Sequence, residues 1–225
     1  VKLMILAAGR GTRMRHLTDQ LPKPMLPVGG KPLLFHHLER AAQAGLSEVV
    51  INLAYRGEAI RAAVGDGRAF GLEVRYSDEG LHALETGGGI ARALPLLGPG
   101  PFTVINGDVW TDYPLGQDRL PDGDLAHLVL VDNPAHHPEG DFQLDASGRV
   151  QNEGADRLTF AGIGIYHPDL FEGAPSGAFA LASLLRPAMA AGHVSGTRHT
   201  GAWVDVGTPE RLAALDRALK DPKRC

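Results

Sequence analysis

Apolar residues run almost unbroken through residues 2–8 (KLMILAA) and 49–53 (VVINL). Short runs of this kind fit strands buried on both faces, as strands of parallel sheets are. Between them come a Gly/Arg turn, a loop with prolines at 22, 24 and 27, and a stretch in which Leu34, Leu38, Ala41 and Ala42 fall on one helical face. Pro32 suits the first position of that helix, and Gly45 its termination. Residues 58–64 read as a short helix and 72–76 alternate as a third strand. A further helix follows the glycines 87–89, and a fourth strand, 102–105, ends at Asn106-Gly107-Asp108. Strands alternating with helices predict an α/β fold with a doubly wound, mostly parallel sheet and right-handed connections.

The second half changes character. Residues 127–131, 142–144, 149–151 and 158–166 read as strands with no helices between them, so antiparallel pieces forming a lid or a sheet extension are expected. Helices near 181–191 and 209–219 finish the pattern. There is no internal repeat, low-complexity tract or linker, and 225 residues suit one α/β domain.

Composition narrows the functional classes. Hydrophobic residues at 44% and charged residues at 21% are ordinary for a globular protein. No stretch approaches the ~18 apolar residues that span a bilayer. The apolar start runs into a glycine turn with no cleavage-site pattern, so it reads as a first strand and not a signal peptide. The one cysteine, Cys225, permits no internal disulfide, which fits a cytoplasmic protein. A net charge of −4 argues against a nucleic-acid surface. That charge is uneven: residues 1–31 hold Lys2, Arg10, Arg13, Arg15, Lys23 and Lys31 against the single acid Asp19. This local excess of cations indicates a focused anion site, with a solvated basic face as the alternative.

Four motifs carry candidate chemistry. Gly9-Arg10-Gly11-Thr12-Arg13 follows the first strand, where glycines let backbone N–H groups approach phosphates and guanidinium groups suit phosphate oxygens. Met14 at the third glycine position separates it from the dinucleotide fingerprint, and no Gly-Lys-Ser/Thr follows to make a P-loop. Pro22-Lys23-Pro24 restrains the backbone on both sides of an ammonium group. Gly87-Gly88-Gly89 is expected to open a helix and expose N–H donors to a base or a phosphate; a structural loop is the competing reading. Asp108, at a strand end, and Asp205, in WVDVGT, are carboxylates of the kind magnesium takes. Each is equally readable as a turn former or helix cap, and spacing alone does not show that they meet. The adjacent pairs His36-His37 and His136-His137 lack the i, i+4 spacing of a helical metal site.

Taken together, LAAGRGTRM at 6–14, PKPMLPV at 22–28, ETGGGI at 85–90, NGDVW at 106–110 and WVDVGT at 203–208 resemble the sugar-1-phosphate nucleotidyltransferase family, in order and spacing over nearly the whole chain. The resemblance implies a Rossmann-like fold: a nucleotide-binding half over 1–112 and a sugar-binding half, with the second metal ligand, over 113–225. It implies that Ala7, Ala8, Gly9, Gly11, Thr12 and Arg13 bind the nucleotide, with Gly9, Gly11 and Arg13 on the departing phosphates. Lys23 would touch the α-phosphate, and Gly87 and Gly88 would meet the base through their backbones. Asn106, Gly140 and Glu153 would lie at the sugar, and Asp108 and Asp205 would hold Mg2+. Many relatives follow that Glu with a phosphate-contacting Lys, whereas Gly154 and Ala155 follow here. LETGGGI, NGDVWTDY and LVLVDNPAHH are most similar to the branch that transfers a uridylyl group from UTP to N-acetylmuramic acid 1-phosphate in bacterial cell-wall recycling. Short mannose-1-phosphate guanylyltransferases and glucose-1-phosphate thymidylyl- or uridylyltransferases are the alternatives. Many relatives carry a C-terminal left-handed β-helix; one helix after Asp205, its absence is expected here, with a monomer or small homo-oligomer as the state.

A sugar phosphate is already a dianion at neutral pH, since its second pKa is near 6, so it needs no general base. Direct in-line displacement, driven by positioning, cations and metal, is the expected mechanism. A non-catalytic nucleotide-sensing subunit of the same fold is the rival; it would be expected to lack one of Arg13, Lys23, Asp108 or Asp205, and all four are present.

Overall fold

The computed structural model describes residues 1–80 and 82–221; Cys225 lies outside the described residues. In chain order the elements are β1 (Lys2–Leu6), β2 (Pro27–Val28), β3 (Lys31–Pro32), α1 (Leu33–Gln43), β4 (Glu48–Leu53), α2 (Gly57–Val64), β5 (Glu73–Asp78), α3 (Glu85–Leu97) and β6 (Phe102–Asn106). They continue with β7 (Val109–Thr111), β8 (Ala126–Val131), β9 (Phe142–Leu144), β10 (Val150–Gln151), β11 (Arg157–Tyr166), α4 (Ala182–Ala190), β12 (Val194–Arg198), β13 (Trp203–Asp205) and α5 (Pro209–Lys220).

Nine strands form one mixed sheet. Its parallel part is β6-β1-β4-β5, in the register Ile5↔Ile51 and Ile5↔Ile105. β11 lies antiparallel against β6 and also pairs β8, which β12 joins in parallel. β9 and β10 extend the sheet from the start of β11. The expected antiparallel pieces are thus an extension of the same sheet. β12 is an element that the sequence pattern does not announce, because VSGTR carries one large apolar residue.

The unbroken apolar runs follow from two-sided burial. In β1, Leu3 and Ile5 pack into one cluster with Leu34 and Leu38 of α1 and Ile60 of α2. Met4, pointing the other way, packs with Ile90 and Ala93 of α3 and Leu185 of α4. Side chains alternate across a strand, so a strand between two helix layers must be apolar at every position. A third, smaller cluster, including Met14, Leu33, Val206 and Leu212, holds α5 against the segment after β1.

Two local expectations change and one holds. Pro32 does not enter the helix but pairs Pro27 in a two-residue ladder, and α1 starts at Leu33. Gly45 does close α1, with φ +75° and its N–H on the Ala42 carbonyl at 3.0 Å. The glycines 87–89 lie inside α3, which begins at Glu85, and all three are buried. Among the described residues no helix is long and apolar enough to cross a membrane.

Candidate active site

The site forms beyond the carboxyl ends of β1 and β6, where an open α/β sheet places its ligands. After β1 the chain turns sharply at Gly11, at φ +63°, where a Cβ would come within 3.1 Å of the Lys23 Cβ and 3.2 Å of Thr18 Cγ2. The Gly11 carbonyl accepts from Met14 N at 2.9 Å and Thr18 Oγ1 at 3.1 Å, which pins the loop. Gly11 therefore answers two demands: a left-handed backbone and room for the lysine stem.

Lys23 is 7% exposed. It starts a short 3-10 turn in which Met25 N bonds Pro22 O at 2.8 Å and Leu26 N bonds Lys23 O at 3.1 Å. A buried ammonium needs a partner, and Lys23 Nζ donates to Asp108 Oδ2 at 2.6 Å. Asp108 is placed by its neighbour: Gly107 N bonds Leu6 O at 2.9 Å, and a Cβ at Gly107 would sit 2.6 Å from that oxygen. Only glycine allows this close return of β6 to β1.

Asp205 reaches the same place by strand pairing. β13 lies antiparallel to β7 with Asp205 opposite Val109, and Val206 N bonds Asp108 O at 2.9 Å. Asp205 Oδ2 lies 3.4 Å from both Arg211 Nη2 and His136 Nε2. Arg211 Nε and Nη2 are buried without a hydrogen-bond partner, so the Arg211–Asp205 contact is coulombic. The cap of α5 is Thr208, whose Oγ1 accepts from Arg211 N at 3.3 Å, and not Asp205.

Behind Asp108 and Val109 stands His37, fully buried in α1. Burial pushes its pKa down to about 4, helped by Arg40 and His36, while a bond to the Val109 backbone opposes the shift. His37 Nε2 has no hydrogen-bond partner.

Two cavities of about 350 Å³ each meet here. The first is lined by Ala7, Ala8, Gly9, Gly11, Thr12 and Lys23, and it ends against Asn52, Glu79 and Thr86. The second runs between Asp205, Trp203, His136, His137 and Phe160. Arg13, Asn106 and Asp108 line both. Asn106 is packed against Gly162, at φ +70° in the bulge of β11, where a Cβ would sit 2.6 Å from Asn106 Nδ2.

Some sequence-proposed residues go elsewhere. Gly87 N and Gly88 N both donate to the Phe179 carbonyl, at 3.0 and 3.2 Å, so these amides are already engaged and do not face a base in this arrangement. A Cβ on Gly87 would strike the Phe179 ring, one on Gly88 the Gly177 carbonyl, and one on Gly89 would come within 2.5 Å of Glu79 Oε1. The triple glycine is thus a packing requirement of α3. Gly140 lines neither cavity; at φ +62° it makes room for Asn133 and the Arg157 backbone. Glu153 is exposed and outside both cavities. Arg10 sits over the Tyr55 ring, 5.4 Å from its centroid.

Sequence reasoning missed Asn52 and Glu79. Asn52 Oδ1 accepts from Ala7 N at 2.7 Å and its Nδ2 donates to Glu79 Oε1 at 2.6 Å, while Glu79 Oε2 accepts from Leu84 N at 2.7 Å. The signal was present as an amide inside the apolar run VVINL, because a polar group on a doubly buried strand must find partners. Glu85, on the same cavity wall, holds a left-handed φ of +58°, a strained conformation that its surroundings must impose.

The sequence profile of the nucleotidyl transferase family matches residues 2–119. The chain is 53% identical over 220 residues to the N-acetylmuramate alpha-1-phosphate uridylyltransferase of Neisseria meningitidis serogroup B, covering 94% of this chain and 95% of that one. It is 36% identical to the enzyme of the same name from Caulobacter vibrioides, covering 97% and 96%. Among solved structures, HddC from Yersinia pseudotuberculosis complexed with GMP-PN matches with a TM-score of 0.79 at 25% identity, over 96% of this chain and 98% of that one.

Proposed function

The chain belongs to the nucleotidyl transferase family, and from that premise we propose that it transfers a uridylyl group from UTP to N-acetylmuramic acid 1-phosphate, releasing pyrophosphate. The choice of base and sugar rests on the sequence relatives, and the structural observation that supports a two-substrate transfer is the pair of cavities joined at Arg13, Asn106 and Asp108. A two-substrate transfer needs one pocket for each reactant and a shared boundary where they react. The first cavity, opening on the glycine loop, takes the nucleotide; the second takes the sugar phosphate.

The reaction is an in-line displacement. A phosphate oxygen of the sugar 1-phosphate attacks the α-phosphorus of UTP, a new P–O bond forms, and the bond to the bridging α–β oxygen breaks. Pyrophosphate leaves with that oxygen and its electron pair. The chain supplies position and charge. Amides of the loop at Gly9 and Gly11, with the Arg13 guanidinium, face the β- and γ-phosphates. The Lys23 ammonium faces the α-phosphate, where negative charge from both substrates converges.

Asp108 and Asp205 would hold magnesium. The donor set fits: two hard carboxylates, Asp108 in the turn before β7 and Asp205 at the end of β13, which pairs β7, one 33% and the other 25% exposed, leaving the remaining positions to phosphate and water. When bound, magnesium supplies positive charge at the phosphate oxygens.

The test is pyrophosphate release across UTP, dTTP, GTP and CTP, each crossed with several sugar 1-phosphates, with and without magnesium. The highest kcat/KM is expected for UTP with N-acetylmuramic acid 1-phosphate. Preference for GTP with mannose 1-phosphate overturns the assignment of base and sugar. Full activity without divalent cation overturns the metal role.

A further inference from the structure

The second cavity holds a group that the transfer step does not use. Its lining includes the carboxylates of Asp108 and Asp205. The turn closed by His137 N on the Pro134 carbonyl, at 2.9 Å, brings His136 and His137 into the same lining. The two rings differ. His136 Nε2 lies 3.4 Å from Asp205 Oδ2 and so faces that carboxylate. His137 Nε2 lies 3.1 Å from Asp141 Oδ1, and Asp141 Oδ2 accepts from Phe160 N at 2.8 Å. The His137 ring is therefore oriented by a carboxylate that is itself anchored to β11. Its Nδ1 has no hydrogen-bond partner among the described residues.

Other donors on this wall are spent. Thr159 Oγ1 donates to Asn133 Oδ1 at 2.9 Å, and Trp203 Nε1 to the Ala161 carbonyl at 2.9 Å. Arg13 and Asn106 belong to the boundary shared with the first cavity and His136 faces Asp205, which leaves His137 among the side-chain donors of this lining.

The proposed acceptor differs from a plain N-acetylhexosamine phosphate by a lactyl ether ending in a carboxylate. A carboxylate entering this cavity is repelled by Asp108 and Asp205 and needs a cationic donor elsewhere on the lining. We infer that His137 is the specificity-determining residue for an acidic sugar: its ring, held by Asp141 on one nitrogen, donates from the other to the lactyl carboxylate. A protonated imidazole carries a donor on each nitrogen and suits two carboxylates on opposite sides. This rests on the acceptor assigned above.

The experiment compares kcat/KM for N-acetylmuramic acid 1-phosphate and N-acetylglucosamine 1-phosphate, with UTP, in wild type, His137→Gln, Asp141→Asn and His136→Gln. Both substrates are measured in the same preparation, so any misfolded fraction cancels in the ratio. His137→Gln is expected to lose roughly 10- to 100-fold of the preference for the acidic sugar, the range for a charge-assisted hydrogen bond, as a rise in KM. Asp141→Asn shifts the ratio the same way by less, and His136→Gln lowers both substrates together. A His137→Gln ratio equal to that of wild type overturns the inference. A wild type with no preference for the acidic sugar overturns instead the acceptor reading on which it rests.

Discussion

The Lys23 ammonium and the Asp108 carboxylate meet at 2.6 Å, where the two cavities join. Each comes from a segment shaped for delivery: a lysine between two prolines, and an aspartate after a glycine that returns to β1. In the free protein the pair neutralises the centre. On the proposed function, a triphosphate would give the lysine a phosphate to face and a divalent cation would give the aspartate a metal, so the pair would exchange partners.

Lys23→Ala is expected to lower kcat by roughly 10²–10³-fold, the scale for removing one preorganised charge from a reacting centre. Stability should change little, because Asp108 is 33% exposed and water can replace the ammonium. Turnover and melting temperature of the same preparation check this; near-normal turnover would leave the proline-bracketed loop a purely structural part.

Asp108→Asn and Asp205→Asn should each impair turnover and weaken its magnesium dependence, and the double variant should be little worse than the worse single, since ligands of one metal act as a unit. Thr208, not Asp205, caps α5. Thr208→Ala should therefore cost about 1 kcal/mol of stability and leave the magnesium dependence as in wild type. kcat against magnesium concentration for the four variants separates the two residues. An Asp205→Asn variant with wild-type turnover would remove it from the metal site.

Gly88→Ala should act on folding. Its Cβ would collide with the Gly177 carbonyl, a backbone atom with little freedom to move. Destabilisation of about 2 kcal/mol or more is expected from overpacking, read as a fall in the denaturation midpoint. If stability holds and the nucleotide KM rises, the glycine serves the ligand after all.

His37 predicts a pH effect on stability. Its folded pKa is lowered to about 4 from an ordinary 6.5, so the folded state resists a proton that the unfolded chain accepts. The stabilisation is present above pH 6.5 and is lost as the pH falls from 6.5 towards 4. Between pH 7 and pH 5 the loss from this residue is roughly 2 kcal/mol. Urea unfolding at the two pH values, for wild type and His37→Leu, isolates the contribution, and equal pH slopes in the two proteins would show that His37 takes up its proton in the folded state as freely as in the unfolded one.

What could be read from the sequence alone was whatever short segments dictate. Apolar runs at 2–8 and 49–53 fit strands covered on both sides, and β1 and β4 within them are such strands. The Gly9–Arg13 loop, Lys23 and Asp108 lie at or just beyond segment ends, and segment ends set where a parallel sheet binds its ligand. The tertiary structure decided everything that depended on two distant segments meeting. Asp205 joins Asp108 only because β13 pairs β7 in the register that sets Asp205 opposite Val109. The glycines at 87–89 read as phosphate or base donors until Phe179, Gly177 and Glu79 are seen packed against them. His136 and His137 gave no metal spacing, yet one turn places both on the wall of the second cavity. A run of residues encodes its own backbone preference and the faces it must bury. It does not encode which remote carbonyl or carboxylate will lie against it, because that partner is chosen by the packing of the whole sheet.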